Sequence, residues 1–219
     1  CQNLGEVEFP LQAFSKAQKL NLRISFPNTS VSNNWDFWVY PEKLPAADTS
    51  QIYVTDAMDT KAKQILDQGG KVLFLPAGKV EKGKEVVQYL TPSFWNTSWF
   101  KMRPPHTEGS LINDFHPVFM DFPTESWTNL QWWELVNRGQ VMEITDFPVE
   151  FQPIVQPIDT WFVNRKLASL FEANVGKGKI VVCSFDLKNK LESRPVARQL
   201  YYSILNYMNS NLFHPESTL

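Results

Sequence analysis

Residues 51–75 read QIYVTDAMDTKAKQILDQGGKVLFL, and this stretch decides the fold class. QIYVT is a short β-rich run. Asp56 is placed to cap a following helix. Met58, Ala62, Ile65 and Leu66 then recur at i, i+4, i+7 and i+8, one face of an amphipathic helix. Gly69-Gly70 stops it. KVLFL (71–75) is a continuous apolar run, as expected of a parallel strand buried on both faces. A strand, a helix and a strand in so short a space predict a right-handed βαβ crossover and an α/β sheet.

Downstream, the same logic continues. The apolar run Leu130, Trp132, Trp133, Leu135 and Val136 predicts a mostly buried helix over 128–138, ended by Gly139. Residues 154–158 predict a short strand, weakened by Pro153 and Pro157. LASLFEANV and KIVVCSF flank Gly176-Lys177-Gly178, a hairpin signal. Ser193 is placed to cap a last helix with Pro195 in its first turn. Ala197, Leu200, Tyr201, Ile204, Leu205 and Met208 give that helix its apolar stripe. KVLFL and IVVCSF are therefore expected as inner strands, covered by helices 57–68 and 194–209.

Upstream of residue 45 the character changes. Residues 7–11 read as extended. LNLRISF (20–26) alternates Leu20, Leu22, Ile24 and Phe26 on one face, PNTSVSNN is turn-rich, and 35–40 alternates again. This resembles three strands of a β-sandwich, too few to bury two sheets alone. PEKLPAADTS reads as a linker. The expected division is a partial β-sandwich and linker over 1–45, and an α/β domain over 46–219.

Composition narrows the function. The chain has 219 residues, 43% hydrophobic and 20% charged, enough to bury a sizeable core. A net charge of -2 with no Lys/Arg run argues against a nucleic-acid partner. No apolar stretch reaches membrane-spanning length. Cys183, inside IVVCSF, reads as an inert buried thiol. Cys1 raises the possibility of an acylated lipoprotein terminus, but no flexible linker follows it, and the preferred reading is a chain that begins within a longer protein. A disulfide between the two has no supporting signal.

Catalytic machinery is hard to find. The turn after KVLFL is PAGKVEKGK, without Ser, Cys or Thr, so the usual α/β nucleophile is missing. No GxGxxG or GxxxxGK[ST] cradles a phosphate. His106, His116 and His214 are scattered, with no HxH or HExxH, and neither a metal nor a cofactor is expected. Glu125 and Glu134 are nine apart, but many carboxylates make chance pairs common. The chemistry that remains is in Asn113 to Arg138, which packs three of the eight Trp beside amides and carboxylates. An indole face can stack on a sugar ring while amides hydrogen-bond its hydroxyls. Core packing is the commoner fate of such Trp residues.

NNWDFWVYPEKL, GGKVLFLP, TPSFWNTSWF, HPVFMDFPTESWTNLQWWELV, QPIDTWFVNRKLASLFEANVGKGKIVVCSFDL and RPVARQLYYSILNYM together resemble the C-terminal region of large Bacteroidetes-type glycoside hydrolase family 2 proteins. These are sugar-binding or β-galactosidase-like. The resemblance covers nearly the whole chain. It implies a β-sandwich leading into a class I glutamine-amidotransferase-like (flavodoxin-like) domain, a mainly parallel sheet with helices on both faces. It implies a piece of a longer hydrolase and a periplasmic or extracellular location. The family's catalytic carboxylates lie in a TIM barrel of roughly 250 residues, which has no place here, so no catalytic residue is carried over. The amidotransferase Cys is missing after Leu75.

The expected function is a non-catalytic accessory module of a carbohydrate-degrading hydrolase, shaping its active site or binding glycan, with the enzyme's other domains as partners. The alternatives are an assembly module forming a homo-oligomer and, less favoured, an autonomous hydrolase. Ligands of open α/β sheets collect outside the carboxyl ends of the strands. A carbohydrate cleft is therefore expected from the turn after Leu75, the segment 95–106 and the approach to helix 128–138. It would draw on His106, His116, Glu125, Trp127, Asn129, Gln131, Asp159 and Arg165. Trp127 is expected to present a face, with Trp132 and Trp133 packed. Asp159 and Arg165 are also expected to pair with each other.

Overall fold

The computed structural model describes residues 5–90 and 106–219. Cys1 and the segment 95–105 of the expected cleft lie outside the described residues. The chain forms a mixed α/β sheet with three α-helices among the described residues, preceded by a separate hairpin.

The hairpin consists of β1 (Gln18–Ser25) and β2 (Ser32–Val39), antiparallel with Leu20 opposite Phe37 and Leu22 opposite Trp35. Its period-2 face is the one read from sequence. Only two strands form where three were expected. Pro10 instead caps a 3-10 turn at Leu11–Ala13, because proline fixes φ and offers no N–H to a ladder. The hairpin stands outside the main sheet, as expected.

Among the described residues the main sheet has six strands. β3 (Ile52–Thr55) leads through α1 (Thr60–Asp67) to β4 (Lys71–Phe74). Then come β5 (Ser110–Ile112), α2 (Trp133–Arg138) and β6 (Met142–Glu143), followed by β7 (Val155–Pro157), β8 (Leu167–Ala168), β9 (Leu170–Val175), β10 (Gly178–Cys183) and α3 (Pro195–Asn209). The order is β3-β4-β10-β9-β7-β5, while β6 and β8 make a small second sheet.

The expectation of a mainly parallel sheet is corrected. β3, β4 and β10 run parallel, but β10–β9, β9–β7 and β7–β5 are antiparallel. The cause is local: the tight turn at Gly176, with φ +60, folds β10 straight back on β9. β4 and β10 are inner strands, as expected. Their side chains alternate between two cores. Leu73, Val181 and Cys183 face α3, whereas Val72, Ile180 and Val182 join Ala62 and Leu66 of α1.

The caps differ from expectation. Asp59, not Asp56, caps α1, accepting from the Ala62 N–H at 2.7 Å, because the helix starts only at Thr60. Met58 therefore lies outside the buried stripe. Ser193 belongs to a 3-10 turn, and Arg194 occupies the cap position of α3 without a side-chain cap hydrogen bond. The expected helix 128–138 is a 3-10 turn at Leu130–Trp132 followed by the six residues of α2. Asn129 caps that turn. Trp132 is fully buried, but Trp133 is 54% exposed, against the expectation that both are packed. The short helix has one buried stripe, which Trp132, Leu135 and Val136 occupy. None of the described helices is long and apolar enough to cross a membrane.

Candidate functional site

The eight residues expected to share one cleft fall in separate places. Asp159 and Arg165 close their own loop. Thr160 N–H donates to Asp159 Oδ1 at 2.8 Å, and Arg165 N–H and Nε both donate to Oδ2. Burial works to raise the Asp159 carboxyl, but the Arg165 hydrogen bonds outweigh it and hold the group below the usual carboxylate range. Arg165 also reaches Glu85 at 2.6 Å. His106 is buried beside the Tyr89 ring, with Nδ1 2.7 Å from the Thr107 carbonyl. Gln131 is buried in the core side of its turn.

Glu125, Trp127 and Asn129 stay together. Residues 126–128 run along β5: Ile112 N–H donates to the Ser126 carbonyl, and Thr128 N–H to that of Ser110. Trp127 lies opposite Leu111 in this short antiparallel pairing, so both side chains share one face. That face is open, with Trp127 57% and Leu111 55% exposed. Gln156 of β7 lies opposite Leu111 on its other flank. Glu125 accepts from Asn129 Nδ2 at 2.8 Å and from Lys19 of β1, which also pairs with Asp36. The Lys19 hydrogen bond, then that of Asn129, lowers the Glu125 carboxyl from its ordinary value. Glu134, by contrast, pairs with Arg194 and Arg138, so it serves α2 and does not pair with Glu125.

The carboxyl ends of the parallel strands are occupied by ion pairs. Asp56 takes Lys79 and Lys188, each at 3.0 Å, which hold its carboxyl at about 2. Arg194, nearly buried, binds Glu134 and Asp186 and the Asn189 and Asp186 carbonyls. Cys183 is fully buried, which pushes its thiol up to about 12, well away from nucleophilic chemistry at neutral pH.

The polar cleft lies instead at the opposite end of these strands. Lys71 Nζ, at the start of β4, donates to the Met208 carbonyl, and Lys179 Nζ of β10 to that of Phe213. These bonds bring the C-terminal end of α3 to the amino ends of the parallel strands. There His116, Glu172 and Tyr207 line a cavity of about 380 Å³, rimmed by Asn113, Glu150, Gln152, His214 and Glu216. Tyr207 O–H donates to Glu172 Oε2 at 2.7 Å. Burial and then Glu172 push the phenol above its ordinary range. The His116 ring meets Tyr207 edge-on at 5.3 Å. Of the eight expected residues only His116 is here. Glu172 and Tyr207 went unread. The available signal was the lone Glu within LFEANV, a carboxylate in an otherwise apolar strand, which needs a partner.

The domain of unknown function DUF8487 matches residues 53–219, and the domain of unknown function DUF8488 matches residues 1–41. No curated protein matches the chain.

Proposed function

The chain belongs to the family of the domain of unknown function DUF8487, and from its site chemistry we propose that it is a non-catalytic accessory module of a carbohydrate-degrading hydrolase that contacts glycan. The observation that carries this reading is the open face of Trp127. An indole more than half exposed, beside Leu111 and within a β-framework that fixes its backbone, is a ready platform for the C–H face of a sugar ring. Gln156, on the far side of Leu111, offers both a donor and an acceptor to hydroxyls. The resemblance to the C-terminal region of glycoside hydrolase family 2 proteins supports the same reading. So does the parallel β3-β4-β10 unit with a helix on each face, which we take as the remnant of an amidotransferase-like sheet. Periplasmic or extracellular location belongs to this proposal.

A single stacked Trp adds about 1 kcal/mol beyond its buried area, so millimolar affinity is expected. Titration with methyl β-galactoside and glycan fragments, followed by NMR at the Leu111 methyl groups opposite Trp127, tests it: Trp127→Ala should abolish their shift with the fold intact. A Leu111 shift unchanged by that substitution would remove the platform reading.

Assembly is the second reading. The hairpin leaves Ile24 and Trp35 about half exposed on its apolar face, and Trp133 and Leu130 are open on the α2 side. A concentration-dependent dimer in sedimentation, lost on substituting Trp35, would move it to first place.

A further inference from the structure

We propose that the cleft at the C-terminal end of α3 is a second binding site, for a hydroxyl-rich ligand held between Glu172 and His116. The inference rests on the carbohydrate reading and assigns it a site remote from the Trp127 pairing.

The donor and acceptor are defined by the surrounding bonds. Tyr207 O–H occupies Glu172 Oε2, and the other oxygen, Oε1, lies toward the His116 ring in the residue that lines the cleft. His116 Nδ1 accepts from the Val118 N–H at 3.2 Å, so the proton of the neutral ring sits on Nε2. Nε2 is 3.7 Å from Glu172 Oε1, too far for a direct hydrogen bond. One hydroxyl oxygen at about 2.8 Å from both closes that gap, accepting from Nε2–H and donating to Oε1. An ammonium group satisfies only the carboxylate half, since it cannot accept from the imidazole.

The rest of the cleft suits the same ligand. Asn113 and Gln152 supply amides at the rim, and Glu150 and Glu216 supply further acceptors. Pro117, Pro153 and Leu212 give apolar walls for C–H faces. A volume of about 380 Å³ lies within the range of small-ligand sites. Three rim and floor carboxylates disfavour an anion. Among the described residues no group of three or more His, Cys, Asp or Glu could hold a metal ion. The pair is positioned by rigid elements: Glu172 lies mid-strand in β9, Tyr207 on α3, and His116 caps the 3-10 turn at Pro117–Phe119.

The test follows the His116 imidazole by NMR while the full chain is titrated with methyl β-galactoside, glucose and, as a control cation, ethanolamine. The expected result is a saturable shift of the His116 signals with a sugar. It should weaken at least tenfold in Glu172→Gln, which can still accept from Tyr207, and persist in Trp127→Ala. His116→Gln, followed calorimetrically, should weaken binding similarly. His116 signals that stay fixed while Trp127-dependent binding occurs overturn this site and leave the first reading standing. A response to ethanolamine alone overturns the hydroxyl assignment. Absence of any sugar binding overturns both.

Discussion

Arg165 grips Asp159 with two nitrogens, Nε to Oδ2 at 2.8 Å and Nη2 to Oδ1 at 3.1 Å, and the carboxylate it holds is almost wholly buried. Planar two-point pairing of this kind is the strong form of an ion pair. It ties both ends of the 159–165 loop together and makes these residues a structural clamp.

Arg165→Ala should therefore destabilise the fold by about 3 kcal/mol, because it strands a buried carboxylate. For a chain of this size that lowers the melting temperature by roughly 6–12 °C. The Asp159 carboxyl is depressed in the native protein, so its contribution is present above the ordinary carboxylate pKa and lost as pH falls below it. The deficit of the variant should accordingly shrink in acid. Thermal melts at pH 7 and at about pH 2.5, below the ordinary carboxylate pKa, check this; an equal deficit at both would refute it.

Gly178→Ala should fail for a different reason. A Cβ there would lie 2.6 Å from the Gly70 carbonyl and 2.7 Å from Leu66 Cα, backbone atoms that cannot swing aside. A loss of about 1–3 kcal/mol is expected from overpacking the junction of α1 and β10. Urea denaturation reads it directly, with Gly78→Ala as the uncrowded comparison at a positive φ.

Two adjacent tryptophans should behave oppositely. Trp132 is fully buried and donates its Nε1–H to Thr124 Oγ1 at 3.1 Å. Its replacement by Ala should cost about 3–5 kcal/mol. Trp133 is more than half exposed, and its replacement should cost under about 1 kcal/mol. Comparable midpoint shifts for the two would contradict the described burial.

The isolated chain should hydrolyse neither nitrophenyl glycosides nor glutamine. The turn after β4 holds no nucleophile, and the thiol of Cys183 is sealed in the core. Turnover by pure protein, abolished by one substitution within the chain, would disprove the non-catalytic reading.

Much of the fold was legible because its signals are local. The run KVLFL needed burial on both faces, and it obtained an inner strand. The spacing of Ala62 and Leu66 set the face of α1, and the left-handed Gly69 ended that helix. The hairpin at Gly176 was also local, yet its consequence for the sheet was missed. A tight turn forces antiparallel pairing, and the antiparallel half of the sheet follows from it. Helix caps were misplaced by a few residues, since Asp56 and Asp59 both satisfy the same short-range rule and tertiary ion pairs chose between them.

Sequence by itself determined the strand–helix–strand run from Ile52 to Phe74, the β9–β10 hairpin and α3, and that Trp127 stands apart from the buried Trp132. Beyond that hairpin and that crossover, it carried no information on what meets what across the sheet. His116, Glu172 and Tyr207 come from a loop, a strand and a helix, and no spacing rule joins them. Only the strand order and the seating of α3 across β9 bring the three side chains together. The physical reason is that side-chain periodicity reports a residue's own face, whereas a site is made by pairings between distant segments, fixed when the whole core closes.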